Sequence, residues 1–246
     1  TAVGLSLAAA AEVDLQSLVV EADRAACGDV TVVAIPWSFP SNRVDWLFNP
    51  TKAKGPFDPE WTWQLNRMQP WRTLARAYTA TRDEKYARAF ARQLEDWLVQ
   101  TGGVPAEKGY NGVGSPWRTI EEGLRLMGSW AEAWRAFSAS PSFPPPHQER
   151  FREAMRAQAR HILAHRSRGN NWLLMELNGV HSCAVLFPDL PESTAWRRES
   201  ARLFAEAASE QLLPDGLHCE LSPDYHLDFY VCAAQLYRRA LESGTL

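Results

Sequence analysis

The chain has 246 residues, 46% of them hydrophobic, and a formal net charge of −3 at pH 7. This length and apolar content allow a substantial core in one large domain or two small ones, so the chain is a globular protein. The small negative charge excludes a general attraction to nucleic acids or anionic membranes. No apolar run in the sequence reaches the roughly 18 residues that span a bilayer.

The N-terminal part begins with a stretch that has two interpretations. Val3 to Ala11 (VGLSLAAAA) fits the end of a signal peptide, or it starts an amphipathic helix that runs to Ala26. Val30 to Ile35 then has the pattern of a strand. Repeated prolines between Trp37 and Pro59 predict a long irregular segment that wraps around the domain.

From residue 59 onward, apolar residues recur at the spacing of α-helices, which predicts an all-α fold. Short connections between helices of similar length indicate antiparallel neighbours. We therefore expect an incomplete (α/α) toroid of antiparallel helix hairpins in a single domain, with an N-terminal helix and wrapping loop (1–58) before the hairpins (59–246). A helical solenoid is the alternative, although no sequence repeat of fixed period supports it. The predicted helices cover residues 59–81, 84–100, 116–138, 146–166, 171–187, 193–213 and 223–242.

The helices predicted to begin at 59, 116, 171 and 223 run parallel if the direction alternates along the chain. Their N-termini then share one rim, where unpaired backbone N–H groups and positive dipole ends favour anions. Capping residues mark these starts. They are Asp58, Ser115 and Ser222, each followed by a proline, and Asn170.

The first turns of these helices combine aromatic rings with arginine and amide donors. Such a mixture suits stacking on sugar rings and binding of carboxylate or sulfate groups. The alternative is that the tryptophans are core residues and the arginines are solvated. The residues concerned are Trp61, Trp63, Asn66, Arg67, Trp117, Arg118, Glu121, Arg125, Asn171, Trp172, Glu176, Tyr225 and His226.

A second basic stretch lies just before Asn171 and consists of His161, His165, Arg166 and Arg168. Cations favour the C-terminus of a helix through its dipole, so this stretch is either a helix end or a further substrate patch. Both interpretations are compatible with the sequence.

Several segments also occur together in a fixed order. They are EWTWQLNRMQPW (60–71), AYTATRDEKYA (77–87), WRTIEEGLR (117–125), GNNWLLMELNGV (169–180), FPDL (187–190) and DGLHCELSPDYH (215–226). This set resembles the heparinase II/III family of polysaccharide lyases, most closely its heparinase III type and more distantly the oligoalginate lyases. The resemblance covers approximately residues 45–242.

The resemblance implies a lyase that cleaves uronic-acid-containing glycans, with heparan-sulfate-like chains as the first candidates, by β-elimination. It implies catalytic roles for Asn171, Tyr225 and His226, and the other ten residues of the rim set are substrate-binding candidates. We expect a periplasmic or secreted protein whose partner is an acidic polysaccharide, not nucleic acid or a membrane. A C-terminal β-sandwich domain, which family members carry, is expected to complete the cleft. No cofactor and no metal are expected.

In such a reaction the C5 proton of the uronic acid lies α to a carboxylate, whose negative charge opposes its removal. Asn171, donating from a helix N-terminus, fits the task of neutralising that charge, and His226 adds to it. Tyr225 then removes the C5 proton as phenolate or protonates the departing O4 as phenol. Arg118 and Arg67 are candidates for binding acidic groups of neighbouring sugars.

Two other functions remain open. A glycoside hydrolase needs two carboxylates about 5–9.5 Å apart, for which Glu121, Glu176, Glu220 and Asp224 are candidates. A non-catalytic carbohydrate-binding domain would bind the glycan without cleaving it. The absorbing C4=C5 double bond of an elimination product distinguishes a lyase from a hydrolase, and binding without bond cleavage identifies the third function.

Overall fold

The computed structural model describes residues 2–53, 56–107 and 115–245. The chain divides into two units, one formed by Thr1–Gly102 with Glu132–Phe151 (unit 1) and the other by Gly103–Ala131 with Arg152–Leu246 (unit 2). No helix in these described ranges has the length and apolar character that a membrane crossing requires. The α-helices are α1 (Ala2–Ala26), α2 (Glu60–Leu65), α3 (Gln69–Thr81), α4 (Glu84–Thr101), α5 (Thr119–Arg125), α6 (Ala131–Phe137), α7 (Pro145–His165), α8 (Asn171–Leu186), α9 (Ser193–Gln211) and α10 (Pro223–Glu242).

A β-hairpin follows α1, with strands β1 (Asp29–Val32) and β2 (Ile35–Ser38). The sequence predicted one strand here because Val33 and Ala34 carry no turn signal. Both have positive φ angles, 49° and 59°, as a two-residue hairpin turn requires, although a β-branched residue rarely adopts them. The helix α1 is compatible with both interpretations of the first residues, so the signal peptide stays a prediction.

The irregular segment after the hairpin contains two short 3₁₀ turns, Pro40–Asn42 and Pro50–Ala53. A side chain of α4 holds its backbone in place. The amide of Gln100 accepts a hydrogen bond from the N–H of Trp46 at 2.8 Å and donates one to the carbonyl of Val44 at 2.9 Å. Polar anchors of this kind replace the backbone hydrogen bonds that an irregular segment lacks.

The helix predicted over 59–81 is two helices, because the chain turns at Met68. This residue has a φ of 54°, and its side chain is fully buried. Pro70 explains the break, since proline has no N–H for a helical hydrogen bond and its ring obstructs the preceding turn. It is tolerated within the first turn of α3.

The helix predicted over 116–138 begins at Thr119 and passes through a π-helical turn, Leu126–Trp130, before α6. Ser115 does not cap this helix. Its Oγ accepts the N–H of Trp117 at 3.2 Å in a separate turn, and Arg118 is the N-cap residue with extended φ and ψ. The predicted start is therefore corrected by three residues, because a Ser-Pro pair initiates turns as well as helices.

Aromatic rings fill the core of unit 1. Phe90 packs edge-on against Trp71 at 5.0 Å between ring centroids and stacks on Phe137 at 4.7 Å. The indole N–H of Trp71 donates to Gln93 Oε1 at 3.0 Å, so the buried polar group is satisfied. The alternative that tryptophans are core residues therefore holds for a large share of them. Those with no more than 1% exposure are Trp46, Trp61, Trp71, Trp97 and Trp130.

Helix α8 is at the centre of unit 2 and packs against α5, α9 and α10. It runs parallel to α5, because Arg118 lies over Trp172 at the two helix starts and Gly123 meets Glu176 about one turn later. Every residue of α8 from Leu174 to Ala184 is buried, so neighbouring elements enclose this helix on all sides.

Helix α10 is also parallel to α8. Glu220, just before α10, accepts from the N–H of Asn171, and further along Asn178 donates to the carbonyl of Cys232 at 3.2 Å. Helix α9 is antiparallel to both, since Gln211 at its end donates to the carbonyl of Asn170. The predicted alternation of direction therefore applies to these helices.

Two glycines allow α5 and α8 to cross in backbone contact. A Cβ atom placed on Gly179 would lie 2.7 Å from the Cα of Gly123, and one placed on Gly123 would lie 2.7 Å from the Cα of Glu176. Both distances are far below van der Waals contact. Only glycine fits at this crossing, and the close approach brings the starts of the two helices together.

Helix α10 has a buried and an exposed apolar face. The buried face includes Phe229, Cys232 and Leu236. The opposite face is also largely apolar and is 44–63% exposed. Its large apolar residues are Leu227, Tyr230, Val231, Tyr237 and Leu241.

Candidate active site

The starts of α5, α8 and α10 lie on one side of unit 2, because the three helices are parallel. This is the rim that the sequence predicted for these helices. The fourth predicted member, the helix start near residue 59, belongs to unit 1. The backbone N–H groups and dipoles of three helix starts favour a negatively charged ligand on this side.

Asn171 is the first residue of α8 and is 6% exposed. Its backbone N–H donates to Glu220 Oε1 at 3.2 Å, which ties the start of α8 to the segment before α10. Its side-chain amide makes no hydrogen bond within the part of the chain that the structure describes. A nearly buried amide that no neighbour uses is available to a ligand.

Tyr225 and His226 are the third and fourth residues of α10, as the sequence predicted. Tyr225 is 44% exposed, and its hydroxyl has no hydrogen-bond partner among the described residues. His226 accepts the backbone N–H of His218 on Nδ1 at 3.3 Å. The ring of Tyr230 packs edge-on against His226 at 4.9 Å, and its hydroxyl donates to the carbonyl of Gly216 at 3.3 Å.

No functional role was predicted from the sequence for His218 or Gln211. His218 is 1% exposed and bonds to Gln211 Oε1 through Nε2 at 2.9 Å. Gln211 in turn donates to the carbonyl of Asn170 at 3.1 Å. Both residues lie outside the predicted helix starts, and their spacing in the sequence does not indicate that they form a hydrogen bond.

Arg118 is 8% exposed and lies 5.0 Å above the ring of Trp172, in a cation–π contact. Its guanidinium also donates to Glu121 Oε1, through Nε at 3.0 Å and more closely through Nη2. Glu121 is fully buried. Trp172 is half-buried, so its ring and the edge of the arginine form the accessible part of this group.

Arg125 is fully buried and supports the backbone at the rim. Its guanidinium donates to the carbonyl of Pro116 at 2.6 Å and lies 5.2 Å from the ring of Trp117. Burial lowers the pKa of Arg125 to about 10, against the opposing effect of Glu122. In this arrangement the side chain holds the turn before α5, while Trp117 is 7% exposed.

Glu176 is also fully buried. It accepts the N–H of Ser167 at 2.7 Å and its hydroxyl at 2.9 Å, so it fixes the connection between α7 and α8. Glu176, Glu121 and Glu220 are three of the four candidate carboxylates for a hydrolase. The carboxylate of each already accepts hydrogen bonds from neighbouring groups. Asp224, the fourth candidate, is exposed in the first turn of α10.

The two histidines of the basic stretch hold the segment that precedes residue 108. His161 Nε2 bonds to the carbonyl of Glu107 at 3.1 Å, and His165 Nε2 bonds to that of Ala106 at 3.2 Å. His161 also pairs with buried Glu122 at 2.8 Å. Burial alone would lower the pKa of His161, but the hydrogen bond and charge of Glu122 outweigh it and raise that pKa.

One arginine of this stretch binds the C-terminal end of α7. Arg166 donates to the carbonyl of Leu163 at 2.6 Å, as expected for a cation at a helix C-terminus. Arg168 is exposed. Of the two interpretations of the stretch, the helix-end role is visible in these contacts, and a role in substrate binding stays a prediction.

The predicted binding residues of unit 1 differ in accessibility. Trp61 is fully buried, and Asn66 is fully buried with its amide bonded to the carbonyl of Trp46 at 2.9 Å and to Trp97 Nε1 at 2.8 Å. Trp63 and Arg67 are half-buried, and Arg67 pairs with Glu60 at 3.2 Å. The substrate-binding role of all four remains a prediction, and only the last two expose much surface.

The functional groups on the rim of unit 2 are therefore the amide of Asn171, the phenol of Tyr225 and the imidazole of His226, each at a helix start. Within the described ranges, no three His, Cys, Asp or Glu side chains converge to hold a metal ion. A ligand with a carboxylate would meet donors and positive dipole ends here. A group able to accept or give a proton, Tyr225, lies on the same side.

Known proteins resemble this chain over most of its length. The sequence profile described as "Heparinase II/III N-terminus" matches residues 8–245. A heparin-sulfate lyase of Pedobacter heparinus is 30% identical over 201 residues, which are 82% of this chain and 28% of that protein. A heparin-sulfate lyase of Bacteroides stercoris is 30% identical over 216 residues, 82% of this chain and 31% of that protein.

The fold is similar to that of a crystal structure of the heparan sulfate lyase from Pedobacter heparinus, with a TM-score of 0.74 and 27% identity. The match covers 92% of this chain and 35% of that one. The predicted fold class, all-α of the (α/α) toroid type, is thereby confirmed. The chain spans less than one third of the length of the two curated relatives. The predicted division into a single domain here and a β-sandwich beyond it stays a prediction.

Proposed function

Because the chain belongs to the heparinase II/III family, we propose that it is the helical part of a polysaccharide lyase that cleaves heparan-sulfate-like chains by β-elimination. One observation carries the proposal. Asn171 and Tyr225 lie at the starts of two parallel helices joined through Glu220, and neither side chain is used by its described neighbours.

The reaction breaks the C5–H and C4–O4 bonds of a uronic acid residue and forms a C4=C5 double bond. Loss of the C5 proton places negative charge next to a carboxylate that is already charged. Asn171 neutralises this charge by donating its side-chain amide from the positive end of α8. A preorganised donor of this kind typically contributes about 3–4 kcal/mol to the stabilisation of a transition state.

Tyr225 is the group that exchanges protons with the substrate. Its hydroxyl takes the C5 proton as phenolate, or it delivers a proton to O4 of the leaving sugar as phenol. The exposure of this side chain, 44%, leaves room for a polymer to reach it. The step balances when the phenolate oxygen takes the C5 proton and then, as phenol, gives that proton to O4. The C5–H electron pair then forms the C4=C5 double bond, and the C4–O4 pair stays on the departing hydroxyl.

Neighbouring sugars bind through arginines and flat rings. In unit 2 the guanidinium of Arg118, which is paired with Glu121, lies against the half-buried ring of Trp172, and this flat surface suits stacking on a sugar ring. In unit 1 the half-buried residues Trp63 and Arg67 are the corresponding candidates. The whole enzyme is proposed to add a C-terminal β-sandwich domain to the cleft.

We also propose that the enzyme acts in the periplasm or outside the cell. A long, multiply charged polymer does not cross a lipid bilayer unaided, so its depolymerase must meet it where it is exposed. Fractionation of cells that express the native gene tests this. Activity confined to the cytoplasmic fraction would contradict the proposal.

The test of the function is incubation of the full-length enzyme, with its proposed C-terminal domain, with heparan sulfate and with other uronate polymers, followed by absorbance in the near ultraviolet. The lyase proposal expects new absorbance from the C4=C5 double bond. New reducing ends without absorbance would identify a hydrolase. Binding without any cleavage, measured by calorimetry, would identify a carbohydrate-binding domain.

A further inference from the structure

His218 is a buried imidazole that the proposed reaction does not use. It lies in the segment between α9 and α10, with 1% of its surface exposed. Both ring nitrogens and the backbone N–H make hydrogen bonds. Through these bonds it contacts the segments that carry each of the candidate catalytic residues.

The ring of His218 has one proton arrangement that satisfies all its partners. Nδ1 accepts the N–H of Glu220 at 3.3 Å, so the proton of the neutral ring is on Nε2. Nε2 then donates to Gln211 Oε1 at 2.9 Å. This fixes the orientation of the Gln211 amide, whose nitrogen donates to the carbonyl of Asn170.

The two outer ends of this chain of hydrogen bonds meet the start of α8. One end is the carbonyl of Asn170, the residue before Asn171. The other is Glu220, whose carboxylate accepts the N–H of Asn171 at 3.2 Å. The imidazole of His218 therefore links both sides of the start of α8 to the segment that precedes α10.

The backbone N–H of His218 also determines the proton arrangement of His226. Nδ1 of His226 accepts this N–H, so a neutral His226 carries its proton on Nε2. Nε2 has no partner in the part of the chain that the structure describes. The ring cannot turn freely, because Tyr230 packs against it and is itself bonded to Gly216.

We infer that His218 is a positioning residue that holds His226 as a donor: His226 presents an Nε2–H group to the uronate carboxylate, beside the amide of Asn171. This inference rests on the proposed function. It separates the roles of the two adjacent residues, because a ring that presents N–H cannot accept the C5 proton. Tyr225 is then the base.

The first experiment measures proton positions without any substrate. The chain contains six histidines, and ¹⁵N labelling of histidine followed by long-range ¹⁵N–¹H correlation distinguishes Nδ1–H from Nε2–H rings. His226→Phe identifies the signals of His226 by their loss. We expect His226 in the Nε2–H form near neutral to mildly alkaline pH. An Nδ1–H form or an even mixture would overturn the inference.

Two substitutions then test the role of His218. His218→Ala keeps the backbone N–H but removes the two ring contacts that hold this N–H against His226 Nδ1. We expect a mixture of His226 tautomers and a fall in kcat of about 100-fold with little change in KM, because catalytic groups are displaced. His218→Asn keeps an acceptor at the place of Nδ1 and should recover the His226 tautomer and part of kcat. If His218→Ala leaves both tautomer and kcat unchanged, His218 positions nothing.

A third substitution is the control, and the ¹⁵N–¹H spectra show whether each variant is folded. His147→Ala changes a half-buried histidine of unit 1 and should leave the His226 signals and kcat unchanged. Should His218→Ala fail to fold, the proton position of His226 in wild type still tests the inference, because an Nδ1–H ring would overturn it. If wild type gives no unsaturated product at all, the proposed function fails, whereas the tautomer measurement still decides the hydrogen-bond arrangement.

Discussion

The polar side chains of the rim differ in whether they form hydrogen bonds within the described chain. Glu121 and Glu176 are fully buried and bound by neighbours, whereas the amide of Asn171 and the hydroxyl of Tyr225 have no partner among the described residues. A polar group that folding leaves unused makes little contribution to stability. Substitution of such a group should therefore affect chemistry and leave the free energy of unfolding nearly unchanged.

Tyr225→Phe removes one oxygen that makes no hydrogen bond to the described chain. We expect it to abolish nearly all formation of unsaturated product while the free energy of unfolding changes by less than about 0.5 kcal/mol. Near-ultraviolet absorbance and urea unfolding measure the two effects. Tyr237→Phe, a 58% exposed tyrosine on the same helix, is the matched control and should keep full activity.

Asn171→Ala removes the amide donor but keeps the backbone N–H that binds Glu220. Because the amide acts on charge that develops during the reaction, we expect kcat to fall by about 100-fold or more and KM to change less. Steady-state kinetics on heparan sulfate measures both. A rise in KM at constant kcat would show that Asn171 binds the ground state only.

His181 should make the stability of unit 2 depend on pH. Burial, together with the smaller effect of the Arg239 charge, lowers the pKa of His181 to about 4. An unfolded histidine has a pKa of about 6.5, so the unfolded state takes up a proton first as the pH falls. Stability should therefore decrease as the pH falls from about 6.5 to about 4, by at most about 3 kcal/mol from this residue.

Urea unfolding of wild type and His181→Asn at several pH values measures this contribution. Asparagine retains a donor for Ser200 Oγ, which binds His181 Nδ1 at 3.0 Å in the wild type. The variant should lose less stability than wild type over the same pH range. Parallel curves for the two proteins would contradict the assignment to His181.

At the scale of elements, the sequence predicts helices well where apolar periodicity is uninterrupted and poorly where a short turn interrupts it. The helices predicted at 171 and 223 begin where the structure has them. The break at Met68 was missed although Pro70 is a local signal for it, because the apolar periodicity continues across the break. The hairpin turn at Val33 was missed because a valine with positive φ carries no turn signal.

The crossing of α5 and α8 gives a sharp prediction. Gly179→Ala places a Cβ against the backbone of Gly123, which no side-chain movement relieves. We expect a loss of about 1–3 kcal/mol in the free energy of unfolding despite the better helix propensity of alanine. Gly128→Ala is the control, since nothing lies within 4 Å of its added Cβ, and it should be neutral or slightly stabilising. Equal effects of both substitutions would exclude the steric explanation.

For the whole molecule, the resemblance of ordered segments predicted the family and the helical fold class, and periodicity alone predicted the all-α composition. Neither could predict which rim residues are accessible. Trp61 and Arg125 have the side chains of a sugar-binding surface but are fully buried, because a ring or a guanidinium serves equally in a core and at a ligand. The partners of His218 were also unpredictable, since no periodicity of the sequence brings the end of α9, the following loop and the first turn of α10 together at one ring.

The hydrogen bonds around His218 have a consequence for how unit 2 opens. The amides of His218 and Asn171 lie in a loop and at a helix start, and each donates to a side chain on another segment, while the amide of Glu220 donates to His218 Nδ1 within the same loop. Breaking any one of them requires movement of the others, so these amides should open as one cooperative unit. Native-state hydrogen exchange should give them similar protection, close to that of amides inside α8, while the amide of Leu217, bonded only to nearby Asp215, exchanges much faster. A polyanion bound at any one of the three helix starts should slow exchange at all of them.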